Sequence, residues 1–223
     1  MSSTRHEPRM RSGTAAKRKE ILQAALDIFG SKGYKGGSLV EIAERVGMTH
    51  AGILHHFGSK DQLLLEVLQF RDDTDVEHLD GQHIPDGMDL FHHLVRTAFL
   101  NARRAGIVQA YAVLSAESVT DDNPGRAFFQ DRYRTLRGQV ADAFATVCAE
   151  RGITTPDTVE HASAAILAVM DGLQVQWLLD PDQVALGEAS TFAIEAIVAA
   201  VLDPAESPLG EADVNRSLDP NRG

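Results

Sequence analysis

The stretch SLVEIAERVGMTHAGILHHFGSK, residues 38–60, decides the fold of this chain. Ser38 and Glu41 form the S-x-x-E pattern of a capping box, which marks the start of a helix. Gly47 follows an apolar stripe and suits the left-handed position that ends a helix. Thr49 can cap the helix that comes next. The stretch therefore predicts two short helices joined by a tight turn.

The second of these helices has an outer face of small and polar side chains. Its apolar residues Ile53, Leu54 and Phe57 share the inner face at helical spacing. The positions left for the outer face are His50, Ala51, Gly52, His55 and His56. Such a pair is typical of the helix-turn-helix, which places its second helix in the major groove of DNA. From the local pattern alone, a purely structural helical hairpin is the alternative.

The distribution of charge favours DNA binding, although the net charge of the whole chain is −11. Residues 1–60 contain ten Lys and Arg against five Asp and Glu, a net of +5. Residues 61–223 contain eleven against twenty-seven, a net of −16, and the two sums give −11. Phosphates attract the basic part and repel the acidic part, which orients the molecule on DNA. A basic tail on an acidic enzyme is the alternative interpretation.

Helical periodicity continues through most of the chain, and no segment alternates with a period of two for the length of a strand. We predict an all-α fold of about nine helices, with a disordered basic arm at 1–14 and a disordered tail at 203–223. A DNA-binding domain is predicted at 15–62, with the motif at 38–58, and a ligand-binding and dimerisation domain at 63–202. The helices are expected at about 15–31, 38–46, 49–57, 60–79, 88–105, 107–119, 124–151, 156–180 and 184–202.

Composition and motifs exclude several classes of protein. Cys148 is the only cysteine, so no intrachain disulfide can form, which fits a reducing cytoplasm. The first residues lack the apolar segment of a signal peptide, and no run of 18 apolar residues exists. We therefore expect a soluble cytoplasmic protein with no membrane partner. Nucleophile-elbow, zinc-protease, P-loop and dinucleotide-binding motifs are lacking, so we expect neither an enzyme nor a cofactor.

Two helical segments carry more apolar surface than one core requires. Residues 162–179 are apolar over most of the helix circumference, and residues 192–202 are apolar at ten of eleven positions. A helix that is apolar nearly all round is buried on two sides. We expect one side to face a second copy of the chain, forming a homodimer through 162–179 and 192–202. Burial of both segments within a monomer is the alternative.

Over residues 15–202 the chain resembles the TetR family of bacterial transcriptional regulators. The resemblance lies in residues 18–29, 33–34, 38–47, 49–64 and 171–181. It implies an all-helical homodimer that binds a near-palindromic double-stranded operator. It also implies that the protein is a repressor, which a small-molecule effector releases from DNA.

The resemblance also implies roles for particular residues. Ser38 and Thr49 would meet phosphates or groove edges at helix N-termini, and Lys60 would contact a phosphate. The base-facing residues would be His50, Ala51 and Gly52, and the backbone-facing residues would be His55 and His56. His55 departs from the family, which usually has tyrosine there. Because histidine is a stronger donor when protonated, this contact would depend on pH.

The central helices would form the effector pocket. Its candidate residues are apolar or amphipathic at inward spacing: Phe91, Phe99, Tyr111, Phe128, Phe129, Tyr133, Met170, Gln174 and Trp177. Two other functions stay open. One is a metal-responsive sensor using His78, His83, His92 and His93, for which no metal site of recognised spacing is predicted. The other is a helical protein that binds small molecules without operator specificity.

Overall fold

The computed structural model describes residues 9–76 and 84–203. In these ranges the chain forms nine α-helices and no strand, as predicted. The helices are α1 (Arg9–Gly36), α2 (Leu39–Arg45), α3 (His50–Phe57), α4 (Lys60–Val76), α5 (Gly87–Asn101), α6 (Ala105–Glu117), α7 (Arg126–Glu150), α8 (Val159–Leu179) and α9 (Leu186–Leu202). The predicted tail beyond 203, residues 1–8 of the predicted arm, and His78 and His83 lie outside the described residues.

The first helix is longer than predicted and kinked. It begins at Arg9, so residues 9–14 of the predicted disordered arm are helical. The reason is that adding a residue to an existing helix costs little, and this segment contains no proline. The predicted stop at Gly33 is a kink, where φ of 72° and ψ of 172° break the helical path before its last turn.

Local capping builds the α2–turn–α3 unit as predicted. The Ser38 Oγ accepts the N–H of Val40 at the start of α2. Gly47 has a φ of 64°, and Met48 N–H donates to the Ala43 carbonyl at 2.8 Å, which closes α2 with a Schellman turn. The Thr49 Oγ1 accepts the N–H of Gly52 and starts α3. The predicted capping box is not complete, because Ser38 accepts the N–H of Val40 and not that of Glu41, and the Glu41 carboxylate binds Lys32.

The N-terminal helices share a core with α6. Fully buried side chains of α1 to α4, such as Phe29, Ile53 and Leu64, pack in one cluster with Ala110 and Leu114 of α6. At the crossing of α1 and α6 a Cβ at Gly30 would lie 2.7 Å from the Ala110 Cβ. Only glycine permits this approach. The N-terminal unit is therefore fixed to the rest of the molecule by close packing.

The later helices form a second core. Buried side chains of α5, α7, α8 and α9 meet around Phe144, Ile166 and Ile194. Helix α8 packs against α6, α7 and α9. Within the described ranges, α8 is the one helix that is long and apolar enough to cross a membrane. Core helices of soluble proteins can have the same length and composition.

Helix α4 runs from the N-terminal core to the cavity. It is continuous across residues 62 and 63, where we predicted a domain boundary. Leu63, Leu64 and Val67 in its first half belong to the N-terminal core. The side chains of Gln69, Arg71 and Asp72, further along the helix, line a cavity among the later helices. Any division into two domains therefore has to share α4.

Helix α7 begins two residues later than its Asn-Pro signal predicted. The Asn123 Oδ1 accepts the N–H of Gly125, as an N-cap does, and the hydroxyl of Ser118, but residues 124 and 125 form a turn and not the first residues of the helix. The helix then begins at Arg126. Helix α8 likewise begins at Val159, after the turn that contains Pro156.

Candidate DNA-binding surface and ligand cavity

The outer face of α3 is open to solvent. His50, Ala51 and His55 are exposed, while Gly52 and His56 are half-buried. Ile53 and Phe57 on the opposite face are buried. Ser38 and Thr49, which cap α2 and α3, are also exposed. The structure thus brings the predicted base-facing and backbone-facing residues onto one surface around α3.

Two basic residues of α1 hold the helix-turn-helix in place from behind. The Lys17 Nζ donates to the Val46 carbonyl at 2.6 Å, at the C-terminal end of α2. The Arg18 guanidinium donates to the His56 carbonyl at 2.6 Å near the end of α3 and lies 4.3 Å from the centre of the Phe57 ring. Cations at helix C-termini compensate the partial negative charge there. These contacts fix the orientation of α3 relative to α1.

Ion pairs use much of the positive charge in this region. Lys32 pairs with Glu41, linking α1 to α2. Arg45 pairs with Asp27 at 2.7 Å, and Arg18 also pairs with Glu66 of α4. Asp27 and Glu41 are already counted in the net charge of +5 for residues 1–60, so of these three pairs only that with Glu66 lowers the charge available to phosphates further.

Lys60 lies at the edge of the surface around α3. Its Nζ lies 4.6 Å from the centre of the Tyr34 ring and 3.5 Å from the Lys35 carbonyl. Burial lowers the pKa of Lys60 from its ordinary value, although the nearby carboxylates of Asp61 and Glu117 oppose this change. The ammonium is thus packed against the N-terminal unit, with only part of its surface open.

A cavity of about 560 Å³ lies between α4, α5, α6, α7 and α8. This volume is within the range of small-molecule sites, which is roughly 300–1,000 Å³. Its apolar wall includes Ile84, Leu90, Leu94, Leu136, Val140 and Leu167. Its polar wall includes Arg71, Asp72, Arg132, Tyr133, Asp171 and Gln174.

Five of the nine predicted pocket residues line this cavity: Tyr111, Phe128, Tyr133, Met170 and Gln174. Phe91 instead stacks on Phe144 in the second core, at 4.7 Å between ring centres. Phe129 packs in the N-terminal core, Phe99 covers Gly187 on α9, and Trp177 packs with Val108 and Leu186. Inward spacing does not distinguish a cavity wall from a filled core, which is why the sequence prediction included Phe91, Phe129 and Trp177. Phe99 is 45% exposed.

Sequence reasoning missed the charged residues of the cavity. Asp72 on α4 pairs with its neighbour Arg71 and with Arg132 of α7. Both guanidiniums lie over the Tyr111 ring, with Cζ atoms at 4.4 and 5.4 Å from its centre. The only signal in the sequence was that these charged residues interrupt the apolar faces of α4 and α7.

A chain of hydrogen bonds runs from Tyr111 to a buried carboxylate. The Tyr111 hydroxyl lies 3.2 Å from that of Tyr133, which donates to Asp171. Burial raises the pKa of Asp171 from its ordinary value, against the opposing effects of the Tyr133 hydrogen bond and the two guanidiniums. Burial and the neighbouring Tyr111 and Asp171 also raise the pKa of Tyr133, so its hydroxyl stays protonated and acts as a donor.

Gln174 completes this wall one helical turn beyond Asp171. The side chain is 6% exposed, and its Oε1 accepts no hydrogen bond from the described residues. An unsatisfied buried acceptor costs about 1–3 kcal/mol. A bound molecule with a suitably placed donor would remove that cost.

The far side of α8 and α9 carries exposed apolar residues. Val175 and Leu179 on α8 are 45% and 80% exposed, and Phe192 on α9 is 76% exposed. Exposed Ala168 and Ala196 extend the same helical stripes. The residues that we predicted to be apolar all round are therefore divided between the core and an open face.

The described residues contain no group of three or more metal-binding side chains. His92 is exposed beside Asp89, whereas His93 lines the cavity. The adjacent histidines thus point to different environments, and nothing in this part of the chain supports the metal-sensor alternative.

Two family models match this chain, one in its N-terminal part and one over most of the rest. The family model described as "Bacterial regulatory proteins, tetR family" matches residues 21–67. The model described as "BetI-type transcriptional repressor, C-terminal" matches residues 91–203, which is half of the chain. The first match contains α2 and α3, and the second contains α6, α7, α8 and most of α5, which enclose the cavity with α4.

Two curated relatives match over about a quarter of the chain. The repressor AcnR of Corynebacterium jeikeium is 41% identical over 61 residues, or 27% of this chain and 32% of AcnR. The regulator RutR of Escherichia coli is 44% identical over 55 residues, or 25% of this chain and 26% of RutR. The alignments thus span about a third or less of these relatives.

A solved structure matches over nearly the whole fold. The complex of SmeT with triclosan has a TM-score of 0.63 and 18% identity, and covers 83% of this chain and 91% of that one. SmeT is the repressor of a multidrug efflux pump of Stenotrophomonas maltophilia. At this identity the likeness shows a common fold.

Proposed function

The chain belongs to the TetR family of bacterial regulatory proteins, and from this premise we propose that it is a dimeric, DNA-binding transcriptional repressor. The observation that carries the proposal is the open face of α3, held from behind by Lys17 and Arg18. Such a helix can enter the major groove without rearrangement. Since its target is chromosomal DNA, we place the protein in the cytoplasm.

Within this proposal the residues divide by the part of DNA they meet. The base-facing residues are His50, Ala51 and Gly52, and the small side chains of the last two permit a close approach. His55 and His56 meet the backbone, and Ser38 and Thr49 meet phosphates near helix N-termini. Few long side chains are available for direct readout, so part of the specificity would come from DNA shape.

Among the predicted phosphate contacts, Lys60 differs in that its ammonium packs on the Tyr34 ring. If Lys60 reaches a phosphate, Lys60→Ala flattens the slope of log affinity against log salt by about 1 per subunit. Lys19, which is exposed on α1, provides the matched Lys19→Ala control. An unchanged slope in Lys60→Ala would remove this residue from the interface.

A homodimer is the second part of the proposal. The exposed stripe with Val175, Leu179 and Phe192 on α8 and α9 is the surface that a second copy would cover. A two-fold dimer would hold two α3 helices for two half-sites of a near-palindromic operator. We therefore place the dimer contact on the open face of residues 162–179 and 192–202.

Release by an effector is the third part. Helix α4 carries Glu66, which pairs with Arg18 behind α3, and also Arg71 and Asp72 in the cavity wall. A molecule that changes the packing around Asp72 would shift α4 and, through Glu66 and Arg18, the orientation of α3. The triclosan complex of SmeT shows that a protein of this fold binds a small molecule. Coupling of about 1–3 kcal/mol is typical of such linkage, and the operator would weaken effector binding equally.

Selection of bound sequences from a random duplex library tests the DNA-binding proposal. We expect one enriched near-palindrome. Ala51→Asp, which adds a negative charge to the exposed face of α3, should then weaken its binding by tenfold or more, on the order of the 1–3 kcal/mol of one base contact. Ala145→Asp changes an equally exposed helical alanine on α7 and should bind as the parent does. Equal affinities for both variants would exclude α3 as the recognition helix.

A further inference from the structure

The cavity presents hydrogen-bond acceptors at its polar end. Gln174 Oε1 accepts no hydrogen bond from the described residues, and its side chain is 94% buried, because only 6% is exposed. The Asp171 carboxylate lies one turn earlier on the same face of α8 and lines the same cavity. A molecule that binds here has to bring donors.

The two tyrosine hydroxyls of this wall bond within the protein, and both guanidiniums are ion-paired. The Tyr111 hydroxyl bonds to Tyr133, and the Tyr133 hydroxyl donates to Asp171. Arg132 and Arg71 both pair with Asp72. Their guanidiniums also lie over the Tyr111 ring. This end of the cavity is therefore poorly suited to a carboxylate, which would have to compete with Asp72 for its partners.

The charges that line the cavity are predominantly negative. Four carboxylates, those of Asp72, Asp73, Asp131 and Asp171, face two guanidiniums. Asp131 is exposed and pairs with Arg134 outside the lining, so three carboxylates against two guanidiniums leave a net charge of −1 with His93 neutral. Such a wall attracts cations, and Asp171 is the buried carboxylate that a ligand cation would compensate most.

The rest of the cavity is apolar. Leu90, Leu94, Val140, Leu167 and Met170 form a wall that has no charged group. Since α8 supplies both Met170 and Asp171, the apolar and acidic walls adjoin. An extended ligand can thus place a charged head against Asp171 and Gln174 and a hydrocarbon chain against this wall.

We propose that the cavity selects a protonated amine with an apolar chain, whose N–H groups donate to Asp171 and Gln174. The inference rests on the proposed function, in which this cavity receives the effector. It goes further in fixing the chemistry of that effector, which carries a positive charge and N–H donors on the same group.

Four probes with the same ten-carbon chain separate charge from hydrogen bonding. Decylammonium has both, decyltrimethylammonium has charge alone, decan-1-ol has a donor alone, and decanoate has the opposite charge. Calorimetric titration of the full chain without DNA should give decylammonium an affinity about tenfold above that of decyltrimethylammonium and of decan-1-ol. Decanoate should bind most weakly. If decanoate binds most tightly, or decan-1-ol equals decylammonium, the proposal is overturned.

Two near-isosteric variants test which property of the ligand each of the two acceptors recognises. Asp171→Asn should weaken both cationic probes about tenfold and leave decan-1-ol unchanged. Gln174→Met should weaken decylammonium and decan-1-ol and leave decyltrimethylammonium unchanged. Asp121→Asn, at a carboxylate that is exposed on the turn before α7, is the matched control and should bind all four as the parent does. Loss of all four probes to the same extent in Asp171→Asn, with an unchanged thermal unfolding midpoint, would overturn the assignment.

Separate measurements distinguish failure of this inference from failure of the proposed function. The ranking of the four probes on the parent protein needs no DNA and no variant, so it decides the inference even if Asp171→Asn does not fold. Operator affinity in saturating decylammonium then tests release. The predicted ranking with unchanged operator affinity supports the inference and contradicts effector release.

Discussion

Asp72 of α4 and Arg132 of α7 form an ion pair in the wall of the cavity, and both side chains are about four-fifths buried, with exposures of 21% and 19%. This pair ties the helix that enters the N-terminal unit to the helices that enclose the cavity. Arg71 shares the same carboxylate. Asp72 therefore pairs with two guanidiniums at the point where the two parts of the protein meet.

Removal of Asp72 should be strongly destabilising. Asp72→Asn removes the carboxylate that Arg71 and Arg132 share, and breaking a buried pair typically costs about 3–5 kcal/mol. Because these side chains are partly exposed, we expect about 2–4 kcal/mol in the free energy of unfolding measured with urea. Asp73→Asn, at the exposed neighbouring carboxylate, should cost less than about 0.5 kcal/mol. Equal effects of the two substitutions would contradict the role of Asp72.

The kink of α1 should depend on glycine. Gly33 has a φ of 72° and a ψ of 172°, a conformation open almost only to glycine, and a Cβ there would overlap the Glu117 carboxylate. That carboxylate accepts the Tyr34 N–H at 2.6 Å. Gly33→Ala should lower the free energy of unfolding by about 2 kcal/mol or more. Gly36→Ala, where the nearest atom to a Cβ is 3.5 Å away, is the control and should change it by less than about 0.5 kcal/mol. If both variants unfold at the same urea concentration, the kink is not strained.

What the sequence indicated and what it missed have different physical origins. The start and end of α2 and α3 depend on Ser38, Gly47 and Thr49, whose effects act within a few residues, so the sequence alone indicates them. The segments predicted for the dimer contact are unusually apolar in the sequence, but the sequence does not show which side of each helix is exposed. Arg71, Arg132 and Asp171 meet only when α4, α7 and α8 pack together, and no local pattern reports that juxtaposition.

The difference between local pattern and packing also explains why similar aromatic residues have different environments. Phe91 and Phe128 both occur at inward positions of amphipathic helices, yet Phe91 fills the second core and Phe128 lines the cavity. Their difference depends on whether the facing helix supplies a large side chain, such as Phe144, or leaves a gap. Only the packed structure contains that information.

The exposed apolar face should hold the dimer together. Phe192 is 76% exposed on α9, so Phe192→Asp adds charge to the face we assign to the second copy without disturbing the monomer core. We expect light scattering at micromolar concentration to give a dimer for the parent and a monomer for the variant. Val119→Asp, at a residue 74% exposed after α6, is the control and should remain dimeric. Ile197 is a poorer probe because it packs against the second core. A monomeric parent would contradict the dimer proposal.

Operator affinity should depend on pH through His55. A protonated imidazole at a phosphate contact adds a positive charge that a tyrosine hydroxyl lacks. Affinity should therefore rise as pH falls from about 8 to 5.5. His55→Tyr, which carries the usual donor of the family, should show a clearly weaker dependence. His50 and His56 are common to both proteins, so the difference between the two profiles isolates His55. Parallel profiles would show that His55 makes no titrating contact with DNA.

Hydroxyl-radical footprinting of the protein on its selected operator tests the central claim most directly. A two-fold dimer with one α3 in each major groove predicts two protected segments related by a dyad, with centres about 34 Å or a multiple of that apart. Ala51→Asp should abolish both segments, and Ala145→Asp should retain them. A single protected segment, or protection that persists in Ala51→Asp, would contradict a dimeric repressor that reads DNA with α3.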